Sequence, residues 1–174
     1  MPDLGPAPIR TTLPVGRHTR SAAILRHWRT MGRLWAQGGL RRLAARLLRT
    51  RIERRFGCYI SPTSSVGRGV YLPHPVGIVI GDTVAIGDGV TIYQHVTIGQ
   101  SGGQTAAQPG RDAPAYPVIA DGATLFAGCV VIGGVRVGRN ATVGANAVVR
   151  ASVPDGAVAV GVPARLVQPA AEPA

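Results

Sequence analysis

The sequence predicts an all-β core, a parallel β-helix of about four coils, behind a short N-terminal α-helical segment. Three observations predict it. First, an aliphatic residue recurs at every sixth position, as Ile80, Ile86, Ile92 and Ile98 and again as Ile119, Leu125, Val131, Val137, Val143 and Val149. Ile60, Val66 and Leu72 carry the beat backward. Second, 24 Gly and 14 Pro accompany many β-branched residues, which suits short strands joined by tight turns. Third, Asp82, Asp88, Asp121 and Asn140 fall two or three residues after an aliphatic, where a corner must turn. A helix needs a period of roughly 3.6 and an ordinary strand one of about 2, so a beat of six is neither. It fits a triangular coil in which each hexad makes one short side.

The elements follow in order. Residues 1–19 are Pro-rich and aperiodic, a flexible lead-in. From Ser21 to Ala36, the residues Ile24, Leu25, Trp28, Met31 and Trp35 mark one face of a helix, which Gly38-Gly39 breaks. Leu40, Leu43, Leu47, Leu48 and Ile52 mark a second helix ending near Gly57. Residues 20–56 are thus a basic amphipathic helical segment, residues 57–168 the β-helix, and residues 169–174 a tail. Within the β-helix the hexads skip two residues after Leu72, run to Ile98 and resume at Ile119. The interruption at 100–117 is an extended loop, Gly-, Ala- and Pro-rich, and a loop of that length in a compact repeat is more often functional than ornamental. Gly161-Val162-Pro163-Ala164-Arg165 leaves the repeat. So thin a core needs neighbours, and a homotrimer is expected.

Charge is unevenly placed. The net charge is +11, and residues 1–56 carry 13 Arg against Asp3 and Glu53, whereas residues 57–174 balance 6 Arg with 6 acids. The bland reading of the basic helices is a cover for the open first coil with a solvated rim. The sharper one is peripheral contact with an anionic membrane. Nucleic acid is not an expected partner, because no recognised motif accompanies the charge. Cys58 and Cys129 show no metal-ligand spacing, and Cys129 shares its hexad place with Ala123, Val135, Ala141 and Ala147, as a packed thiol would. A cytoplasmic location is expected, since no disulfide framework, signal peptide or membrane span is visible.

The chemistry is expected in the octet Leu72-Pro73-His74-Pro75-Val76-Gly77-Ile78-Val79. Leu72 and Ile92 start units on the same face of successive coils, so His74 and His95 should approach each other at the strand spacing of about 4.8 Å. A neutral imidazole can take the proton of an attacking alcohol, worth about 10²–10⁴-fold in rate. A bulge also aims a side chain out of a regular surface. A solvated turn histidine remains the alternative for His95, and His18 and His27 read as bland.

The octet with Ile80-Gly81, the run Ile92-Tyr93-Gln94-His95-Val96-Thr97-Ile98-Gly99 and the ending Gly161-Val162-Pro163-Ala164-Arg165 together resemble serine acetyltransferases among the hexapeptide-repeat acyltransferases. The resemblance covers roughly residues 57–168. It implies a left-handed coil, against the usual right-handed crossover. It also implies a trimer with acetyl-CoA in the groove between subunits, and transfer to a hydroxyl. His74 falls on the catalytic histidine. Gly99, Gln100, Ser101, Ala127, Gly128 and Ala145 fall on the pantetheine wall, with Arg165 joining them on the donor side. Four positions depart from the family. Tyr59 stands where an aspartate precedes the Ile-x-Pro stretch, Pro73 replaces the acid before the histidine, and Ala115-Tyr116 replace an Arg-His pair. Tyr59, His95 or a backbone carbonyl is then left to orient His74, and Arg111, Asp112 and Tyr116 are left to hold the acceptor. These departures favour a saccharide or specialised metabolite as acceptor, with serine the alternative. Two other classes are weighed. A non-catalytic trimeric scaffold would bind no acetyl-CoA. A zinc site is not expected, because His74 and His95 are one short of the usual three histidines.

Overall fold

The computed structural model describes residues 19–100 and 116–167. Two helices, α1 (Thr19–Gln37) and α2 (Arg41–Phe56), precede fourteen strands of two or three residues. The strands form three sheets. The first holds β1 (Tyr59–Ile60), β3 (Val79–Ile80), β6 (Thr97–Gly99), β9 (Val130–Ile132) and β12 (Val148–Val149). The second holds β2 (Ser65–Val66), β4 (Ala85–Ile86), β7 (Val118–Ile119) and β10 (Arg136–Val137). The third holds β5 (Thr91–Ile92), β8 (Thr124–Leu125), β11 (Thr142–Val143), β13 (Val158–Val160) and β14 (Arg165–Val167). All pairings are parallel except the last, where β14 folds back antiparallel on β13.

Register explains the beat. Ile80 lies opposite Ile98 and Ile119 opposite Val137, one coil of eighteen residues apart. The octet lengthens the first coil, so Ile60 meets Ile80 and Val66 meets Ile86. The 100–117 interruption lengthens another, so Ile86 meets Ile119. The coil count is corrected here. The sequence beat ends at Val149, yet Val153 bridges to Val137 and Ala159 pairs with Val143. The last coil is two residues short and falls off the beat, and the first sheet has five strands, hence five coils.

The beat residues fill the interior. Ile80, Ile92, Ile98, Leu125, Val131, Val137, Val143 and Val149 are fully buried. A second layer of Val84, Val90, Val96, Ala123, Cys129, Ala141 and Ala147 closes the corners. Burial pushes the Cys129 thiol up to about 12, so it is a packed group and not a nucleophile.

The helices dock on the first coil as the α1 pattern predicts. Ile24, Leu25, Trp28 and Met31 are buried. Trp28 Nε1 donates to Ser64 Oγ at 3.0 Å, and Ser21 Oγ accepts the Leu72 N–H at 3.2 Å. The face expected for α2 is corrected in part. Ile52 is buried and Leu48 packs against the core as expected. Ala45 and Phe56 complete the buried face, while Leu40, Leu43 and Leu47 are 90%, 56% and 64% exposed. Phe56 is followed at once by the left-handed cap Gly57 and by β1, so the chain's entry into the coil decides which face of α2 turns inward.

Between the second and third sheets, carboxylates cap backbone N–H groups of the preceding coil. The Arg68 N–H donates to Asp88 Oδ1 at 2.7 Å, the Asp88 N–H to Asp121 Oδ1 at 2.8 Å, and the Arg139 N–H to Asp155 Oδ1 at 2.7 Å. The backbone N–H groups of Arg68 and Arg139 hold Asp88 and Asp155 below the usual carboxylate range. A depressed folded pKa contributes stability above the unfolded value and loses it as pH falls through the folded one. The thermal midpoint should therefore fall on acidification through and below the ordinary carboxylate range. Asp88→Asn with Asp155→Asn should flatten that slope in a calorimetric pH series. In the core, Leu125→Ala should cost about 2–5 kcal/mol by chemical denaturation.

Candidate active site at the corner between the third and first sheets

The corner that leads from the third sheet to the first holds the octet and its counterparts on the next three coils. Leu72 is buried, Pro73 and Pro75 are half-buried, and His74 is exposed. Two backbone bonds link the layers of the two histidines. The Val76 N–H donates to His74 O at 2.8 Å, and Val76 O accepts the His95 N–H at 3.0 Å. The octet is also held from below, because the Gly77 N–H donates to Gly57 O at 2.9 Å.

His95 sits at a strained place. Its φ is +57°, in the left-handed region that Gly77, Gly128 and Asn146 also adopt at this corner. A residue with a side chain there needs open space beneath it. Gly77 supplies it: a Cβ added at Gly77 would collide with His95 Nδ1 and lie 2.8 Å from Cε1. The same arrangement recurs above, where a Cβ at Gly128 would collide with Asn146 Oδ1. The Gly128 N–H donates to Gln94 O and the Asn146 N–H to Ala127 O, both at 2.9 Å, so the corner is one continuous stack.

The structure therefore puts His74, His95, Ala127, Gly128 and Ala145 on one corner, the two histidines as their spacing predicts and the other three as residues the resemblance assigns to the donor wall. Ala145 is exposed and Ala127 and Gly128 are half-buried, leaving a small-residue track up the corner. Gly99 lies on the next corner, where its carbonyl accepts the Gly133 N–H at 3.1 Å, and Gln100 beside it is exposed. Arg165 is exposed on β14, opposite Val160. Tyr116 is half-buried just before β7. Ser101, Arg111 and Asp112 lie outside the described residues.

The expected orienting role of Tyr59 finds no contact to carry it. Tyr59 pairs with Val79 on the outer face of the first sheet, and the Arg49 guanidinium lies 5.6 Å from its ring centroid. Among the described residues, no hydrogen bond joins Tyr59 to His74. Three features escaped the sequence reading. Tyr93 and Phe126 stack at 5.1 Å, flanking the corner from the third sheet. Gln94 Oε1 is buried with no hydrogen-bond partner among the described residues, a costly state that an outside donor would relieve. Ser21 fastens α1 to the octet's first residue. The aromatic pair was visible as positions one coil apart; the Ser21 bond joins segments distant in sequence, and the burial of Gln94 Oε1 depends on packing that spacing does not reveal. Among the described residues, no group of three His, Cys, Asp or Glu could hold a metal ion.

With this geometry in place, comparison with known proteins gives it context. Residues 116–151 match the bacterial transferase hexapeptide (six repeats) family model. A serine acetyltransferase of Escherichia coli (strain K12) is 39% identical over 152 residues, which is 87% of this chain and 50% of that protein. A solved serine acetyltransferase complex with CoA superimposes with a TM-score of 0.71 at 35% identity, covering 83% of this chain and 55% of the other. A soybean serine acetyltransferase complexed with serine gives 0.72 at 38% identity, covering 83% and 56%. The chain spans about half the length of the curated relatives it matches, or somewhat less. The saccharide or specialised-metabolite acceptor expected from the sequence gains no support from these relatives.

The stack makes one structural prediction. Gly77→Ala should displace the His95 ring and strain a left-handed backbone position. The His95 imidazole resonances should move in an NMR spectrum while Gly69→Ala, at a corner away from the histidines, leaves them in place.

Proposed function

As a serine acetyltransferase-like hexapeptide-repeat protein with a left-handed β-helix, this chain, we propose, transfers the acetyl group of acetyl-CoA to the hydroxyl of serine. The observation that carries the reading is the exposed His74 at the foot of a corner lined by Ala127, Gly128 and Ala145. Serine acetyltransferases solved in complex with CoA and with serine support both the donor and the acceptor.

The chemistry needs one base. His74 takes the hydroxyl proton as the oxygen attacks the thioester carbonyl. The tetrahedral intermediate is held by backbone N–H groups at the turns. It collapses by breaking the carbon–sulfur bond, and the imidazolium returns its proton to the departing thiolate. The small side chains of Ala127, Gly128 and Ala145 leave room for the pantetheine arm, and Gly99, Gln100 and Ser101 extend that wall. Arg165 is an exposed cation suited to the phosphates of the donor. His95, one hydrogen-bonded layer above, positions the octet through Val76. Arg111, Asp112 and Tyr116 are the residues proposed to hold the acceptor. The working unit is proposed to be a homotrimer with the donor in the groove between subunits. Outward Tyr59 and Val79 on the first sheet, 39% and 37% exposed, give that face apolar area to bury.

One observation favours a second acceptor. Tyr59, Pro73 and Tyr116 stand where the resemblance expects charged partners for a zwitterion. A neutral hydroxyl compound needs no such partners.

Thiol release from acetyl-CoA should depend on serine, and His74→Ala should lower it about 10²–10⁴-fold with sedimentation unchanged. Wild-type turnover in that variant would remove His74 as the base. Turnover with a sugar and none with serine would transfer the reading to the second acceptor.

A further inference from the structure

The leucines that turned away from the core in α2 form a surface of their own. Leu40, Leu43 and Leu47 recur at helical spacing and are 90%, 56% and 64% exposed. The same stripe continues along the helix as exposed Arg51 and Arg54, with exposed Arg41 and Arg46 at its flanks. Over its length α2 carries seven arginines against Glu53, which is itself paired with Arg49 at 3.2 Å. Nothing in the described residues covers the leucines.

We propose that this face of α2 seats the protein on an anionic lipid surface, with Leu40, Leu43 and Leu47 entering the headgroup boundary and the arginines meeting lipid phosphates. Charge and apolarity together select this occupant. A second copy of α2 would bring seven arginines against seven, and like charges oppose that pairing. A nucleic acid would meet the arginines but give three exposed leucines no partner. An interfacial helix uses both, since apolar side chains enter while basic ones hold the headgroups. Among the described residues no helix is long and apolar enough to cross a membrane, so the contact proposed is peripheral. The surface lies on α2, whereas the candidate active site lies on a corner of the β-helix. Seating the helix therefore leaves the transfer chemistry independent of it.

The test is co-sedimentation of the full chain with vesicles of phosphatidylcholine alone and of phosphatidylcholine mixed equally with phosphatidylglycerol. Binding is expected to the mixed vesicles only. Leu43→Ser with Leu47→Ser should weaken it roughly tenfold or more, since burying one leucine is worth about one such factor. Both leucines are more than half exposed, so the double variant should keep the wild-type melting curve and the wild-type rate of thiol release from acetyl-CoA. Three results would overturn the proposal: no binding to the mixed vesicles, binding that the leucine variant leaves unchanged, or vesicle-free self-association that the variant abolishes. The last would assign the face to a second copy. A chain that binds vesicles but lacks transferase activity would leave this inference standing and remove the proposed function alone.

Discussion

Everything in this molecule depends on each coil keeping register with the one below. Strands of two or three residues are too short to be stable by themselves. They persist because the inner ones are hydrogen-bonded to a coil on either side and each coil places aliphatic residues inward at matching positions, as Ile80 does under Ile98 and Ile98 under Val131. A slip of one residue would turn that whole set of side chains outward. The coil can absorb extra residues only at corners, where they bulge without disturbing the stack. The octet is such an absorption.

That constraint connects fold to site. Two residues added between Leu72 and Ile80 have nowhere to go but outward, and they carry His74 with them. The layers above supply the rest without further departure from the repeat. His95 takes a left-handed corner position because Gly77 leaves the space beneath it. Ala127 and Ala145 follow on successive coils. The N-terminal helices secure the base of this stack, through Ser21 on Leu72 and Trp28 on Ser64. The molecule thus builds the proposed active corner from a scaffold that elsewhere repeats itself.

Periodicity made most of this legible in the sequence. The inward aliphatics, the octet and the shared corner of His74 and His95 all follow from counting, whereas the loop expected at 100–117 lies mostly outside the described residues. Counting failed where the count changed. Val153 and Ala159 belong to a fifth coil, yet a corner two residues short hides them from a beat of six. It also failed where two faces of one helix compete. Leu40, Leu43 and Leu47 are as regular as Ala45, Ile52 and Phe56, and more apolar than Ala45, but only the junction through Gly57 into β1 decides which set is buried. The partner of His74 was illegible for another reason. With Tyr59 engaged by Arg49 and no acid at Pro73, sequence offers a base without its orienting group. The substitutions at those places pointed away from serine as acceptor, whereas overall likeness to serine acetyltransferases points toward it. Local site chemistry and global similarity weigh different residues, and here the relatives carry more of the chain.

A crystal structure of the full chain with CoA would show whether an acyl thioester reacts at the corner bearing His74. The sulfur end of the pantetheine is expected beside His74, with the arm running past Ala127 and Ala145. CoA seated on either of the other two corners, or no CoA bound at saturating concentration, would contradict it.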